Sequence, residues 1–379
     1  MEHYDVAIVG AGPAGSSAAR SAAAAGARVV VLDRAAFPRY KTCGGGLIGP
    51  SLAALPEGPP TNASITRVSL SLAGSRRRTR TVAVPCLAMT TRSELDAWLL
   101  DAAVAAGAEA RVPSRVLDVA EEPDSALVTT DDGALRADVV IAADGTSSRL
   151  ARAVGVRLSR VDLGLELELE AGSSAGEWAD RVHLDWGPVP GSYAWVFPKG
   201  DTLTVGVIAA RGAGDATRDY LRSFVGWMGL DRHRVLHDSG HLTRCRSVDS
   251  PVGRGRVLLA GDACGLLEPW TREGISFATR SGALAGAVAA AGASGAVERY
   301  RAALAVDLFP EMAAGERCLR AFEARPRAFH ELIRSTPVGW RQFSRITRGE
   351  TTLARALEHR SVRAGLGLLS LGSAPPPAP

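Results

Sequence analysis

Apolar and polar positions follow two rhythms along the chain. Residues 4–9 and 29–32 are short, β-branched apolar runs without polar alternation, the pattern of parallel strands covered on both faces. An alanine-rich stretch between them reaches Ala25 and stops at Gly26, which predicts a helix and its end. Residues 137–142 and 256–260 repeat the strand pattern far downstream. From Val161 the rhythm changes: Leu163, Leu165, Leu167 and Leu169 alternate with Gly164, Glu166, Glu168 and Glu170, the period of a half-buried strand. Strand-like runs at 181–186, 193–197 and 202–208 follow, so residues 155–245 read as an antiparallel sheet layered over the first unit. Helices are expected from Arg92, where Leu95, Leu99, Ala102 and Ala103 recur, and from Gly274 to about Ala291.

The turn after the first strand reads Gly10, Ala11, Gly12, Pro13, Ala14, Gly15, and Asp33 closes the second strand eighteen residues after Gly15. Strand, glycines, helix, strand and acid in that order predict a dinucleotide-binding unit. The glycines permit a tight turn and close approach, the helix amides receive a pyrophosphate, and the acid holds a ribose hydroxyl. Gly10, Gly12, Ala14, Gly15, Asp33 and Arg34 are the candidate contacts. Two later strands deliver Asp144 with Gly145, and Gly261 with Asp262, to the crevice of an open α/β sheet. A nicotinamide-type Rossmann domain is complete in one stretch, whereas these pieces lie far apart, so inserts interrupt the ligand-binding domain. The expected division is a discontinuous cofactor domain (1–60, 90–155, 250–295), a β-sheet substrate domain (61–89, 156–249), a C-terminal helical region (296–373) and a disordered tail (374–379).

A chain of 379 residues with 46% hydrophobic content can bury a large core. Its formal charge of +4 is carried almost wholly by arginine, the only lysines being Lys41 and Lys199. No basic run is interleaved with aromatics, so nucleic acid is not an expected partner. The five cysteines, Cys43, Cys86, Cys245, Cys264 and Cys318, are never paired as CxxC, which fits a reduced, cytoplasmic setting and gives no metal site. With the first strand beginning so close to Met1 no signal peptide is expected, and no apolar run reaches the ~18 residues of a transmembrane helix. Residues 355–371 mix arginines with Leu366, Leu368, Leu369 and Leu371: a helix packed on its own domain, or one in peripheral contact with the inner face of the membrane.

Candidate chemistry centres on Cys43, which stands directly before Gly44, Gly45 and Gly46. Three residues without Cβ let a flat ring or a phosphate approach the backbone. Tyr193, Trp195 and Phe197 alternate ahead of Pro198 and face one side of their strand, an apolar wall with polar handles. With Gly10, Asp33, Asp144 and Asp262 in order, the chain resembles, over most of its length, the FAD-binding superfamily of aromatic hydroxylases, flavin-dependent halogenases and geranylgeranyl reductases. The loop 38–46 and the element 193–198, followed by Gly206, are similar to those of geranylgeranyl reductases. Ile208 stands where a second glycine is expected, and Arg272 where that family usually has glycine, beside a bulky Trp270.

The resemblance implies FAD as cofactor, with Asp262 on the ribityl chain, the Asp144 and Gly145 pair supporting the cofactor, and Arg92, Cys43 and Gly44 near the flavin. The amides of Gly274 and Ile275 would face its electron-rich edge. Gly45, Gly46, Tyr193, Trp195, Phe197, Pro198 and Trp270 are then the substrate-pocket candidates. The activity implied is reduction of isolated C=C bonds of a geranylgeranyl or polyprenyl chain, by hydride from reduced flavin N5 and a proton for which Cys43 is the candidate source. With no second GxGxxG in the chain, electrons come from NAD(P)H visiting transiently or from a reduced redox protein. An FAD-dependent aromatic monooxygenase or halogenase is the alternative, though no WxWxIP element is present. A non-catalytic prenyl-lipid carrier is the third class, and complete cofactor motifs argue against it.

Overall fold

Strand His3–Val9 pairs in parallel with Val29–Leu32 on one side and Ala134–Ala142 on the other. Glu109–Arg111 and Val257–Leu259 extend this parallel set outward, and Val116–Glu121, Ala126–Thr130 and Gly253–Arg254 add antiparallel strands to make eight. The computed structural model describes residues 1–359 and, beyond them, residues 362, 363, 365, 367 and 369. Val6, Ala7, Ile8, Val30, Val139 and Ile141 are wholly buried, as the unbroken apolar runs require. Helix Pro13–Ala24 packs against both Ile275–Ala290 and Arg92–Ala105. Segments remote in sequence are thereby gathered around one turn.

The second sheet has seven strands in the order Val235–Arg246, Leu158–Glu170, Thr202–Ala210, Tyr193–Lys199, Arg181–Trp186, Arg67–Leu72 and Ser75–Thr81. All neighbours run antiparallel except Arg181–Trp186 with Arg67–Leu72, which are parallel. Helix Gly214–Trp227 closes one face, bringing Tyr220 and Phe224 onto Leu169, Val196, Val205 and Val207. On the opposite face Trp186 meets Phe322 and Phe329 from helices Phe309–Ala324 and Pro326–Ser335 in edge-on ring contacts. The fold is α/β, a Rossmann-like unit with a β-sheet layer and C-terminal helices.

The alternation in Leu158–Glu170 is borne out as a strand, but two acids on its polar side are buried. Asp162 and Glu166 are 1% and 2% exposed, whereas Leu163, Leu165 and Leu167 are only half-buried. The leucines face a helix that covers them incompletely, and the carboxylates face the inside of the molecule. Helix Leu353–Glu358 buries Leu353, Ala356 and Leu357, the two leucines in the cluster that includes Val68 and Trp186, so this part of the expected membrane-contact segment packs on its own protein. Leu366, Leu368, Leu371 and the expected disordered tail 374–379 lie outside the described residues. No helix among the described residues is long and apolar enough to cross a membrane.

Candidate functional site

Between the two sheets lies a cavity of about 1310 Å³. At one end it is lined by Gly10, Gly12, Pro13, Ala14, Asp33, Arg34, Asp144 and Gly145. Gly12 caps helix Pro13–Ala24 without a side-chain bond and Pro13 has no N–H, so the amides of Ala14 and Gly15 are the ones this helix end leaves without an intrahelical acceptor. Guanidinium nitrogens of Arg39 and Arg92 stand 3.6 and 3.8 Å from the position a Gly12 Cβ would occupy. Both arginines are held by one fully buried carboxylate: Arg92 Nε to Asp96 Oδ1 at 2.7 Å and Arg39 Nη2 to Asp96 Oδ2 at 3.2 Å. Thr91 caps the helix that carries Arg92 and Asp96 by accepting from the Glu94 amide. A Cβ-free turn, free helix amides and two fixed cations together fit the pyrophosphate of a dinucleotide. Asp33 accepts from Ala11 N at 2.8 Å and from Ala35 N at 2.9 Å, which ties the turn to the end of the second strand.

The two acids from the later strands differ in environment. Burial pushes the Asp144 carboxyl up from its ordinary value. Burial acts the same way on Asp262, but His241, Lys41 and Arg92 outweigh it and hold that carboxyl below the usual range. Lys41 Nζ sits 3.0 Å from His241 Nδ1, and His241 Nε2 lies 3.9 Å from Asp262 Oδ2. Burial, then the Arg92 charge, lowers the Lys41 ammonium despite Asp262.

Cys43 is half-buried at the middle of the cavity wall, and the other four cysteines are buried. Its amide donates to Glu166 Oε1 at 3.1 Å, its carbonyl accepts from Lys199 Nζ at 2.9 Å, and its sulfur accepts from Gly45 N at 3.4 Å. Both lysines of the chain thus serve this stretch, Lys41 within it and Lys199 beneath it. Burial raises the Glu166 carboxyl to about 7, with Lys199 and the Cys43 amide opposing the rise.

Tyr193, Trp195 and Phe197 form a continuous ring wall, with centroids 5.7 and 6.2 Å apart along the strand. Trp195 pairs across the sheet with Gly206, where a Cβ would stand 2.1 Å from the indole, so only glycine leaves room for the ring in that place. Tyr193 pairs instead with Ile208, and its hydroxyl donates to Thr271 O at 2.5 Å. The isoleucine at the position expected to be glycine occupies the cavity wall beside Tyr193. Arg272 keeps the backbone that a glycine would have taken, with φ +56°. Its side chain is directed away from the cavity centre into a buried pair with Asp162, Nε to Oδ2 at 3.0 Å, and it also donates to the carbonyls of Gly191 and Trp270. The guanidinium is thereby held in the protein interior, although Arg272 remains part of the cavity wall. Trp270 lines the cavity edge-on to Phe329, centroids 5.2 Å apart.

Of the residues nominated from sequence, all line the cavity except Gly15 and Pro198. Gly15 is a packing position, since its Cβ would stand 1.7 Å from Gly10 O. Pro198 is buried and, by strand alternation, turns to the opposite face from Phe197. Arg39, Lys41, Glu166, Lys199 and His241 were not nominated. The loop 38–46 contained the first two, but the others are brought in only by sheet register. The cavity's far end, lined by Phe329, Ile333, Phe343, Ile346 and Leu353, comes from the C-terminal helices.

Residues 3–165 match the family model described as an FAD binding domain. Digeranylgeranylglycerophospholipid reductase 1 of Methanopyrus kandleri is 31% identical over 310 residues, 76% of this chain and 80% of that protein. A geranylgeranyl bacteriochlorophyll reductase-like protein from Thermoplasma acidophilum superposes with a TM-score of 0.81 at 21% identity, covering 94% of this chain and 99% of that one. A flavin-dependent brominase variant superposes with a TM-score of 0.75 at 17% identity over 97% and 98% of the two chains, so the fold by itself does not separate reduction from halogenation. The level of identity to the reductase shows the family: the chain is an FAD-dependent oxidoreductase and belongs to the geranylgeranyl reductase family.

Proposed function

We propose that this enzyme hydrogenates isolated C=C bonds in the isoprenoid chain of a lipid, a geranylgeranyl or longer prenyl group. The observation that carries the reading is the continuity of the cavity. One space leads from the glycine turn, past Cys43 and the ring wall of Tyr193, Trp195 and Phe197, to an apolar end made by the C-terminal helices. A hydrocarbon chain suits that lining, and a small aromatic substrate does not need its length.

Gly10, Gly12, Ala14, Asp33, Arg34, Arg39 and Arg92 would hold the dinucleotide portion of FAD, and Asp144, Asp262, Gly274 and Ile275 the portion nearer the ring. Reduced FAD, when bound, supplies a hydride equivalent. An isolated alkene is a poor hydride acceptor, so the protein has to provide a proton and keep water from competing for it. The Cys43 thiol is the candidate proton donor at the wall, and Lys199 and Glu166 fix its backbone so that the sulfur stays at the cavity. The hydride equivalent originates from NAD(P)H or from a reduced redox protein, and the lipid arrives by peripheral contact with a membrane surface.

Anaerobic reduction of the FAD-loaded protein, followed by product mass analysis with prenyl lipids, tests the reading. A gain of two hydrogens per double bond is expected. A gain of oxygen or halogen from an aromatic candidate, or a colourless protein that takes up no flavin, overturns it. Cys43→Ser is expected to retain its flavin and lose at least about 100-fold in turnover, the scale of a general acid. Full turnover in that variant would remove Cys43 as the proton donor.

A further inference from the structure

We propose that Glu166 is the proton source behind Cys43: its carboxylic acid, held on the Cys43 amide at the cavity wall, returns to the sulfur the proton that the sulfur gives to the alkene. The inference rests on the alkene-reduction reading and extends it to the supply of protons.

Glu166 lies at the centre of a line across the second sheet, paired with Ser239 on one side and Gly206 on the other, and through Gly206 with Trp195. Its residue is 2% exposed, and it lines the cavity. Oε1 accepts from the Cys43 amide at 3.1 Å, which sets the carboxyl beside that residue at the cavity wall. A buried polar atom without a partner stands next to the same loop. Trp195, 7% exposed, carries its Nε1–H without an acceptor among the described residues, 3.4 Å from the position a Gly44 Cβ would occupy. A buried donor without an acceptor is costly unless something polar enters beside it. Water or the reacting thiol meets that need during turnover.

The charged and titratable groups around Glu166 are Lys199 from the next strand but one, Tyr40 and Cys43 from the loop above, and Glu168 on its own strand. His241 stands opposite Gly164 and His237 opposite Glu168 on the neighbouring strand, with Lys41 against His241. Only Lys199 and the Cys43 amide oppose the burial that favours the neutral acid. The carboxyl is therefore protonated below about pH 7 and loses its proton as pH rises through that value. The balance closes as follows. One alkene carbon gains the hydride equivalent, the other gains the Cys43 proton, the thiolate recovers a proton from Glu166 directly or across one water, and the carboxylate is reprotonated from solvent.

The test uses the FAD-loaded enzyme and Glu166→Gln, whose amide oxygen still accepts the Cys43 N–H, with the visible flavin spectrum as the check on folding. The first measurement is the rate of Cys43 alkylation by iodoacetamide against pH, read by peptide mass, and it needs no substrate. The wild type is expected to show an added inflection near pH 7 that is absent in Glu166→Gln, because a nearby carboxylate changes the thiol's reactivity when it ionises. The second is alkene reduction, expected to fall as pH rises through about 7 in the wild type. In Glu166→Gln it should be reduced about 100-fold and lack that step, while Glu166→Asp keeps it. An identical alkylation profile in both proteins, or an unchanged step in the turnover profile of Glu166→Gln, overturns the proposal. A wild type that alkylates with the added inflection but reduces no prenyl substrate would instead refute the alkene reading and leave the Glu166 and Cys43 coupling established.

Discussion

Asp162→Ala is expected to destabilise the folded protein by about 3–5 kcal/mol, the cost of leaving a buried charge without its partner. Asp162 accepts from Arg160 Nε at 2.7 and 2.9 Å and from Arg272 Nε at 3.0 Å, and the Asp162 and Arg272 side chains are each 1% exposed. Arg160 continues the network to Glu323 at 2.9 Å on helix Phe309–Ala324. One carboxylate thus joins the second sheet to the C-terminal helices and to the segment that leads into helix Ile275–Ala290. Urea unfolding followed by tryptophan fluorescence measures the loss, and a change below about 1 kcal/mol, the scale of an exposed pair, would show that the network is solvated. The double variant Asp162→Ala with Arg272→Gly should recover part of the loss. It removes the orphaned cation and relieves a left-handed backbone that costs a non-glycine residue about 1–2 kcal/mol.

Arg272 also shows where sequence reading stops. A glycine is the usual answer to a positive φ, and an arginine there reads as an obstruction beside the flavin. Its explanation is Asp162, 110 residues earlier, which no local pattern connects to it. Glu166 fails for a related reason. Period-two alternation identifies the strand but not which face meets a cavity, and apolar residues lining the half-covered face invited the opposite reading. By contrast, residues 10–33 were legible because turn, helix start and acid are all local, and Asp144 and Asp262 because each follows an apolar strand in a parallel sheet. The ring wall was legible for the same reason, since Tyr193, Trp195 and Phe197 need only the strand's own period. The C-terminal side of the cavity comes from helices whose periodicity names an apolar face without naming what it covers.

Gly15→Ala and Gly12→Ala should both weaken flavin binding, but by different routes, and the difference tests whether this turn holds the cofactor. At position 15 the added methyl would stand 1.7 Å from Gly10 O and 3.3 Å from Ile8 Cγ2. Backbone at that range cannot yield without separating the first strand from its helix, so stability should fall by at least the ~1–3 kcal/mol of an overpacked core. At position 12 the backbone is extended, φ −74° and ψ −173°, which alanine adopts freely, and the nearest atoms are the Arg39 and Arg92 guanidiniums at ordinary contact distance. The methyl there clashes with nothing in the protein and takes up the space above the helix amides. Gly12→Ala is accordingly expected to keep the unfolding midpoint of the flavin-free wild type while FAD affinity drops about 10-fold or more, ~1.4 kcal/mol. Stripping the flavin and titrating it back, with the flavin-free midpoint measured in parallel, separates the two variants. Undiminished FAD affinity in Gly12→Ala would mean that the pyrophosphate does not approach this turn, and that Arg39 and Arg92 are clamped by Asp96 for a reason of structure alone.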